Sequence, residues 1–233
     1  MSTHLKDTLD EVYTTFSSYP LPSEIDGCPC CVGKEDHYHI HSLPLRDLKD
    51  KELSKYAFKA MTTWGNVNDF KHFLPRILDL SACNELSVDL FVVLGKLEYG
   101  HWKTWPQNEQ KAVVEFLKVW WEYAIKHTEL LDFELLIELH KVLKQISEML
   151  ALWDLQPDKF GLLNFLTFIE SYYPDMVDKE GENSDFSGEV VVDLKNWINS
   201  KKEDLENAFF KMEKENNDLA QRISKALYIL EHT

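Results

Sequence analysis

The sequence predicts an all-α fold, built either as an irregular helical bundle or as a HEAT-like stack of helix pairs, with about eight to ten helices. Three observations carry this. Apolar residues recur at i, i+3, i+4 and i+7 through most of the 233-residue chain. Gly and Pro number only eight each, while Leu, Lys, Glu and Asp are abundant. The one β-like run, Val190-Val191-Val192, continues at helical spacing into Leu194, Trp197 and Ile198.

The first helix is expected over Thr3 to Ser17, with Leu5, Leu9, Val12, Tyr13 and Phe16 on one stripe. Tyr19-Pro20-Leu21-Pro22 stops it, because proline disfavours helix at the residue before it. Asp50 is placed to cap a second helix carrying Leu53, Tyr56, Ala57, Ala60, Met61 and Trp64, with Gly65 as its left-handed end. Asn66 or Asn68 caps the next, and Pro75 inside it should kink the helix or start a new one.

Ser87 is read as the cap of a helix with Leu90, Phe91, Leu94 and Leu97 inward, ended by Gly100. Pro106 fits the first turn of the next, whose stripe holds Ala112, Val113, Phe116, Leu117, Trp120, Trp121 and Ala124. Asp132 caps a helix reaching Trp153, and Pro157 opens one closed by Tyr173-Pro174. Ser200 to Glu203 has the capping-box pattern before a long stripe that weakens at Asn216-Asn217-Asp218.

These elements group as pairs over 50–80, 87–127, 132–173 and 189–231. The spacing is near ~40 residues, the period of two-helix solenoid repeats. The expected organisation is a helical core over 1–173 with a Cys/His-containing loop at 18–44, an acidic linker at 174–188, and C-terminal helices over 189–233 packing on the core. Between Asp175 and Asp193 seven carboxylates face one lysine, a composition that favours a solvated segment.

Lys and Arg total 25 against 40 Asp and Glu, a net charge of −15. Such a chain repels phosphate backbones, which argues against nucleic acid as a partner and for a basic protein. No stretch approaches the ~20 apolar residues of a membrane span, so no membrane partner is expected. The first residues, Met1 to Asp7, lack the apolar core of a signal peptide. The four cysteines, three of them within four residues, are not a spread disulfide framework. A reducing, cytoplasmic setting is the expectation.

The sharpest local feature is Cys28-Pro29-Cys30-Cys31, followed by His37, His39 and His41. Cys28 and Cys31 have the spacing that lets two thiolates reach one zinc, and His39 or His41 would complete a tetrahedral site. The same cysteines could form a redox pair, although they do not open a helix after a strand, the context such motifs need. Packing thiols beside exposed histidines is the plainer reading. A second set is Asp69-x-x-His72 with Glu98-x-x-His101, pairs that resemble the metal-gripping motifs of di-iron bundles, with Glu122 and Glu138 as further donors. Against it, Glu98 and His101 straddle Gly100 near a helix end. His140 on an apolar face, and the tryptophans at 102, 105, 120 and 121, read as core packing. Phosphate-loop, dinucleotide, nucleophile-elbow and zinc-protease motifs are absent, which points away from an enzyme.

The stretch Thr63-Trp64-Gly65-Asn66-Val67-Asn68-Asp69-Phe70-Lys71-His72-Phe73-Leu74-Pro75-Arg76, together with Cys28-Pro29-Cys30-Cys31 and Pro44-Leu45-Arg46, resembles a group of bacterial cytoplasmic helical proteins. The likeness covers roughly the first half of the chain. It implies a bacterial source and a helical fold, and it supplies no activity or catalytic residue. The sequence-level expectation is thus a non-catalytic protein-binding scaffold with an acidic helical surface, of immunity or antitoxin type. The alternative is a metalloprotein or metal-dependent enzyme, with zinc as the ion.

Overall fold

The chain is described as a computed structural model covering residues 1–156, 160–178, 186 and 188–232. Among these residues every regular element is helical, apart from isolated bridges that pair Trp64 with Gly27 and Ala60. In chain order the helices are α1 (Thr3–Phe16), α2 (Lys34–His41), α3 (Asp50–Lys59), α4 (Val67–Ala82), α5 (Leu90–Tyr99), α6 (Gln107–His127), α7 (Glu134–Leu143), α8 (Ile146–Ala151), α9 (Phe160–Ser171), α10 (Tyr173–Asp178), α11 (Gly188–Ser200), α12 (Lys202–Glu215) and α13 (Asn217–His232). No helix among the described residues is long and apolar enough to cross a membrane.

The thirteen helices exceed the expected eight to ten because single residues break runs that periodicity alone joins. Lys144 takes a left-handed φ of 56° and divides the expected 132–153 helix into α7 and α8. Eight residues of the expected 18–44 loop coil into α2, whose N-terminus is closed by the Asp36 carboxylate on the Gly33 N–H. The helix expected to close at Tyr173-Pro174 ends at Ser171, and Tyr173-Pro174 then begins the short α10. The Pro157 start signal and residues 179–185 and 187 of the expected acidic linker lie outside the described residues, while Phe186 is buried.

The chain divides into two compact units, Met1–Trp120 and Trp121–Thr233, and the division falls within α6. In the first unit α1 lays its stripe against α4, and α3 packs on α2, α4 and α5. All five stripe residues of α1 are buried, and Ser2 caps its first turn. In the second unit α9 packs on α13 and α8 on α11. A HEAT-like stack would pair each helix chiefly with its chain neighbours. The α1–α4 and α9–α13 pairings join helices far apart in sequence, which a neighbour-by-neighbour stack does not do.

Several helix ends differ from the sequence reading. Ala60 leaves the helical conformation at ψ 130°, so α3 stops at Lys59, and Met61 at φ 62° and Gly65 at φ 71° follow. Asp50 does not cap α3: its carboxylate accepts hydrogen bonds from the N–H and hydroxyl of Ser87, which is why Ser87 does not cap α5 either. Phe91 is exposed, and Lys96 takes a buried position on α5. Ser200 bonds back to the Trp197 carbonyl, so α12 starts without its capping box. Pro75 does not start a new helix: α4 runs through it, and Pro75 is buried there.

Candidate functional site

Cys28 to Cys31 form one tight turn. The Cys31 N–H donates to the Cys28 carbonyl at 2.8 Å, and the Val32 N–H donates to the same oxygen at 2.9 Å. Pro29 occupies the second turn position, where its fixed φ favours the bend. The turn therefore gathers thiols that an extended chain would spread. The Sγ atoms of Cys28, Cys30 and Cys31 all lie within 4.8 Å of one another. Cys30 is exposed, and the other two are half-buried.

The turn is held to the body of the first unit through the main chain. The Cys28 N–H donates to the Thr63 carbonyl at 2.8 Å, and the Gly65 N–H donates to the Asp26 carbonyl at 2.6 Å. Glycine stands at both ends of this clasp, where space is tight. A β-carbon on Gly27 would lie 3.0 Å from the Val32 side chain, and one on Gly65 would lie 2.9 Å from the Asp69 carboxylate. Gly65 also carries the positive φ that side chains resist. Asp69 is fixed there because it and Asn66 close the start of α4 reciprocally: the Asn66 side chain accepts from the Asn68 and Asp69 N–H groups, and Asp69 accepts from the Asn66 N–H at 2.8 Å.

Within the cluster the sulfurs are unevenly spaced. Cys28 and Cys30 approach to 2.9 Å, and Cys30 and Cys31 to 3.6 Å. The hydrogen bond from Cys30 lowers the pKa of the Cys28 thiol below its ordinary value. The same bond pushes Cys30 up to about 11. A thiolate in the turn is thus stabilised by its neighbour rather than by a cationic side chain.

Neither His39 nor His41 is among the donors that lie within 4.8 Å of one another. His39 is exposed and stands edge-on to Tyr38. His41 has Nδ1 at 2.7 Å from the His37 carbonyl and Nε2 at 2.9 Å from the Pro22 carbonyl, so both ring nitrogens are occupied. Cys28, Cys30 and Cys31 are, among the described residues, the only set of three or more such donors drawn together. The second sequence-derived set is dispersed in the same way. Asp69 is a helix cap, His72 has Nδ1 2.7 Å from the Tyr19 carbonyl, Glu98 accepts from the Trp102 indole at 3.1 Å, and His101 is an exposed residue with φ 52°. Glu122 and Glu138 pair with Lys126 and Lys141. The Arg76 guanidinium meets Asp79 and the Leu48 carbonyl.

The four tryptophans are core. Trp102 and Trp105 turn their indole N–H groups to Glu98 and the Gly100 carbonyl, and Trp121 turns its own to the Met149 carbonyl. His140 is buried beside Phe186, and burial followed by the Lys144 charge lowers its pKa.

Two features escaped the sequence reading. Cys30, the middle sulfur, was not assigned a ligand role, although proline at the turn's second position signals that the thiols converge. The other is a buried polar network: Lys71 and Glu109 pair at 2.7 Å with side chains 6% and 5% exposed, and the Tyr19 hydroxyl donates to Glu109 at 2.6 Å. The Lys71 ammonium also lies 4.5 Å from the Trp105 ring centre. The signal was there, since Lys71 falls on the arc of Phe70, Leu74 and Leu78, and Glu109 on that of Ala112, Val113 and Phe116.

Compared with protein-family models, with curated proteins and with solved structures, the chain shows no match. The chemistry of the site rests on its own geometry.

Proposed function

We propose that the protein binds a thiophilic metal ion, zinc in the first instance, through Cys28, Cys30 and Cys31. The observation that carries this is the convergence of the three sulfurs within 4.8 Å on a turn whose N-terminal end is clasped to residues 63–65 through the main chain. Thiolates are the donors that zinc and cuprous ions select. Two sulfurs on one tetrahedral zinc sit about 3.8 Å apart, given Zn–S bonds of ~2.3 Å. The Cys30–Cys31 edge of 3.6 Å is close to that, and the Cys28–Cys30 edge opens by rotation about side-chain torsions on an accessible turn. Three protein ligands leave a fourth position for water or an incoming group. Binding releases thiol protons, so affinity rises with pH.

The test is elemental analysis of the full chain purified without added metal, beside a Cys28→Ser/Cys31→Ser variant. About one equivalent of zinc per chain, lost in the variant, supports the reading. Equal metal content in both overturns it.

A second reading, a protein-binding scaffold, is favoured by the net charge of −15. Acidic surface speeds encounter with a basic partner, and such encounter weakens with salt. Its test is a pull-down at low and high ionic strength. Recovery of a basic protein that is lost at high salt supports it, and salt-indifferent recovery counts against it. In that case the metal turn is a structural fixture of the scaffold.

A further inference from the structure

The uneven spacing of the sulfurs has a meaning of its own. At 2.9 Å, Cys28 and Cys30 are closer than two ligands of one zinc ion stand. They are also closer than Cys30 and Cys31 at 3.6 Å, although those two are adjacent in sequence. The turn thus singles out one pair and brings it toward bonding contact. We propose that Cys28 and Cys30 are a redox-active dithiol that exchanges with disulfides and closes to an intrachain disulfide across Pro29.

The electron count is simple. One thiolate of the pair attacks a sulfur of an external disulfide. The external S–S bond breaks, a mixed disulfide forms and one external thiolate leaves. The second cysteine of the pair, already at 2.9 Å, then attacks the protein sulfur of that mixed disulfide. The Cys28–Cys30 bond forms, and the second external thiolate leaves. Two electrons pass to the external disulfide, and the two thiol protons go to the departing thiolates or to solvent. Access is provided by Cys30, which is exposed, and by Cys28, which is only half-buried. Closure from 2.9 Å to a disulfide bond of ~2.05 Å is a short step, and Cys28 is held at its N–H by Thr63 and at its carbonyl by Cys31 and Val32. The cysteines are those of the proposed metal site, but the exchange does not depend on a metal. A bound ion would occupy the same thiolates and slow it.

The experiment uses the full chain, cleared of metal with a chelator and incubated with oxidised glutathione. Intact mass and peptide mapping follow the products. The expected outcome is a chain lighter by two hydrogens with Cys28 linked to Cys30. Cys83, an exposed thiol outside the turn, is the internal reference, and the pair should react roughly tenfold faster than it. Cys30→Ser should stop at a glutathione adduct on Cys28, and Cys28→Ser at an adduct on Cys30. A link to Cys31 instead, stable glutathione adducts on the unaltered chain, or a rate no faster than that of Cys83 overturns the proposal. Zinc binding without exchange would sink this inference and leave the metal reading standing. Exchange without zinc binding would do the reverse.

Discussion

The Lys71 ammonium lies 2.7 Å from the Glu109 carboxylate, and both side chains are almost wholly removed from solvent. The pair ties α4 to the first turn of α6, and Tyr19, at the start of the irregular segment after α1, donates its hydroxyl to the same carboxylate. Desolvating two charges is costly, and their attraction offsets that cost only while both are present. Lys71→Met or Glu109→Leu alone should therefore lower unfolding free energy by ~3–5 kcal/mol. The double substitution Lys71→Met/Glu109→Leu should lose clearly less than the two singles combined. Urea denaturation of the four chains closes the cycle. Additive losses would show that the two charges do not interact across the core.

Gly65→Ala tests the clasp. The left-handed φ alone costs a non-glycine residue ~1–2 kcal/mol, and the added carbon would meet Asp69 and Ile25 at 2.9 and 3.0 Å. The expected result is a lower melting temperature together with weaker metal retention, since the Gly65 N–H holds Asp26 beside the cysteine turn. A fall in stability with metal content unchanged would mean that the turn keeps its shape without the clasp.

His72 gives the first unit a pH dependence. Burial lowers its pKa, outweighing the hydrogen bond to the Tyr19 carbonyl, which acts the other way. The folded state thus prefers the neutral ring more than the unfolded chain does, whose histidines titrate near ~6.5. The stabilising contribution is present above that value and is lost as pH falls through the folded pKa. Stability measured from pH 7 to pH 5 should decline, and more shallowly in His72→Gln. Parallel curves would show that the ring is solvated in the folded chain.

Asn66→Ala removes the side-chain acceptor for two N–H groups at the start of α4. The expected loss is ~1 kcal/mol, and Asn66→Asp should retain most of the stability. Thermal melts of the three chains read this directly.

The helical class was legible because apolar periodicity is a property of each segment. The α1 stripe, the α6 stripe and the break at Asn216 all follow from residues within a few positions of one another. The failures have a common physical form. Asp50 and Ser87 are good caps by type, but each satisfies the other across 37 residues of chain. Lys144 and Met61 take left-handed φ values that lysine and methionine do not advertise. At the site, the turn is written in Cys-Pro-Cys-Cys, so the thiol cluster was half visible. His41 and His72 suit a metal by type, but their ring nitrogens are already engaged with carbonyl oxygens supplied by the fold.

The hydrogen bonds that fasten the cysteine turn run through backbone atoms, the Cys28 amide and carbonyl and the Asp26 carbonyl. The side chains at positions 28, 30 and 31 take no part in that fastening. Substituting them should leave the platform intact while changing what it grips. Histidines or carboxylates installed there would shift its selectivity toward harder ions, which makes this short segment a mount for exchangeable donor sets.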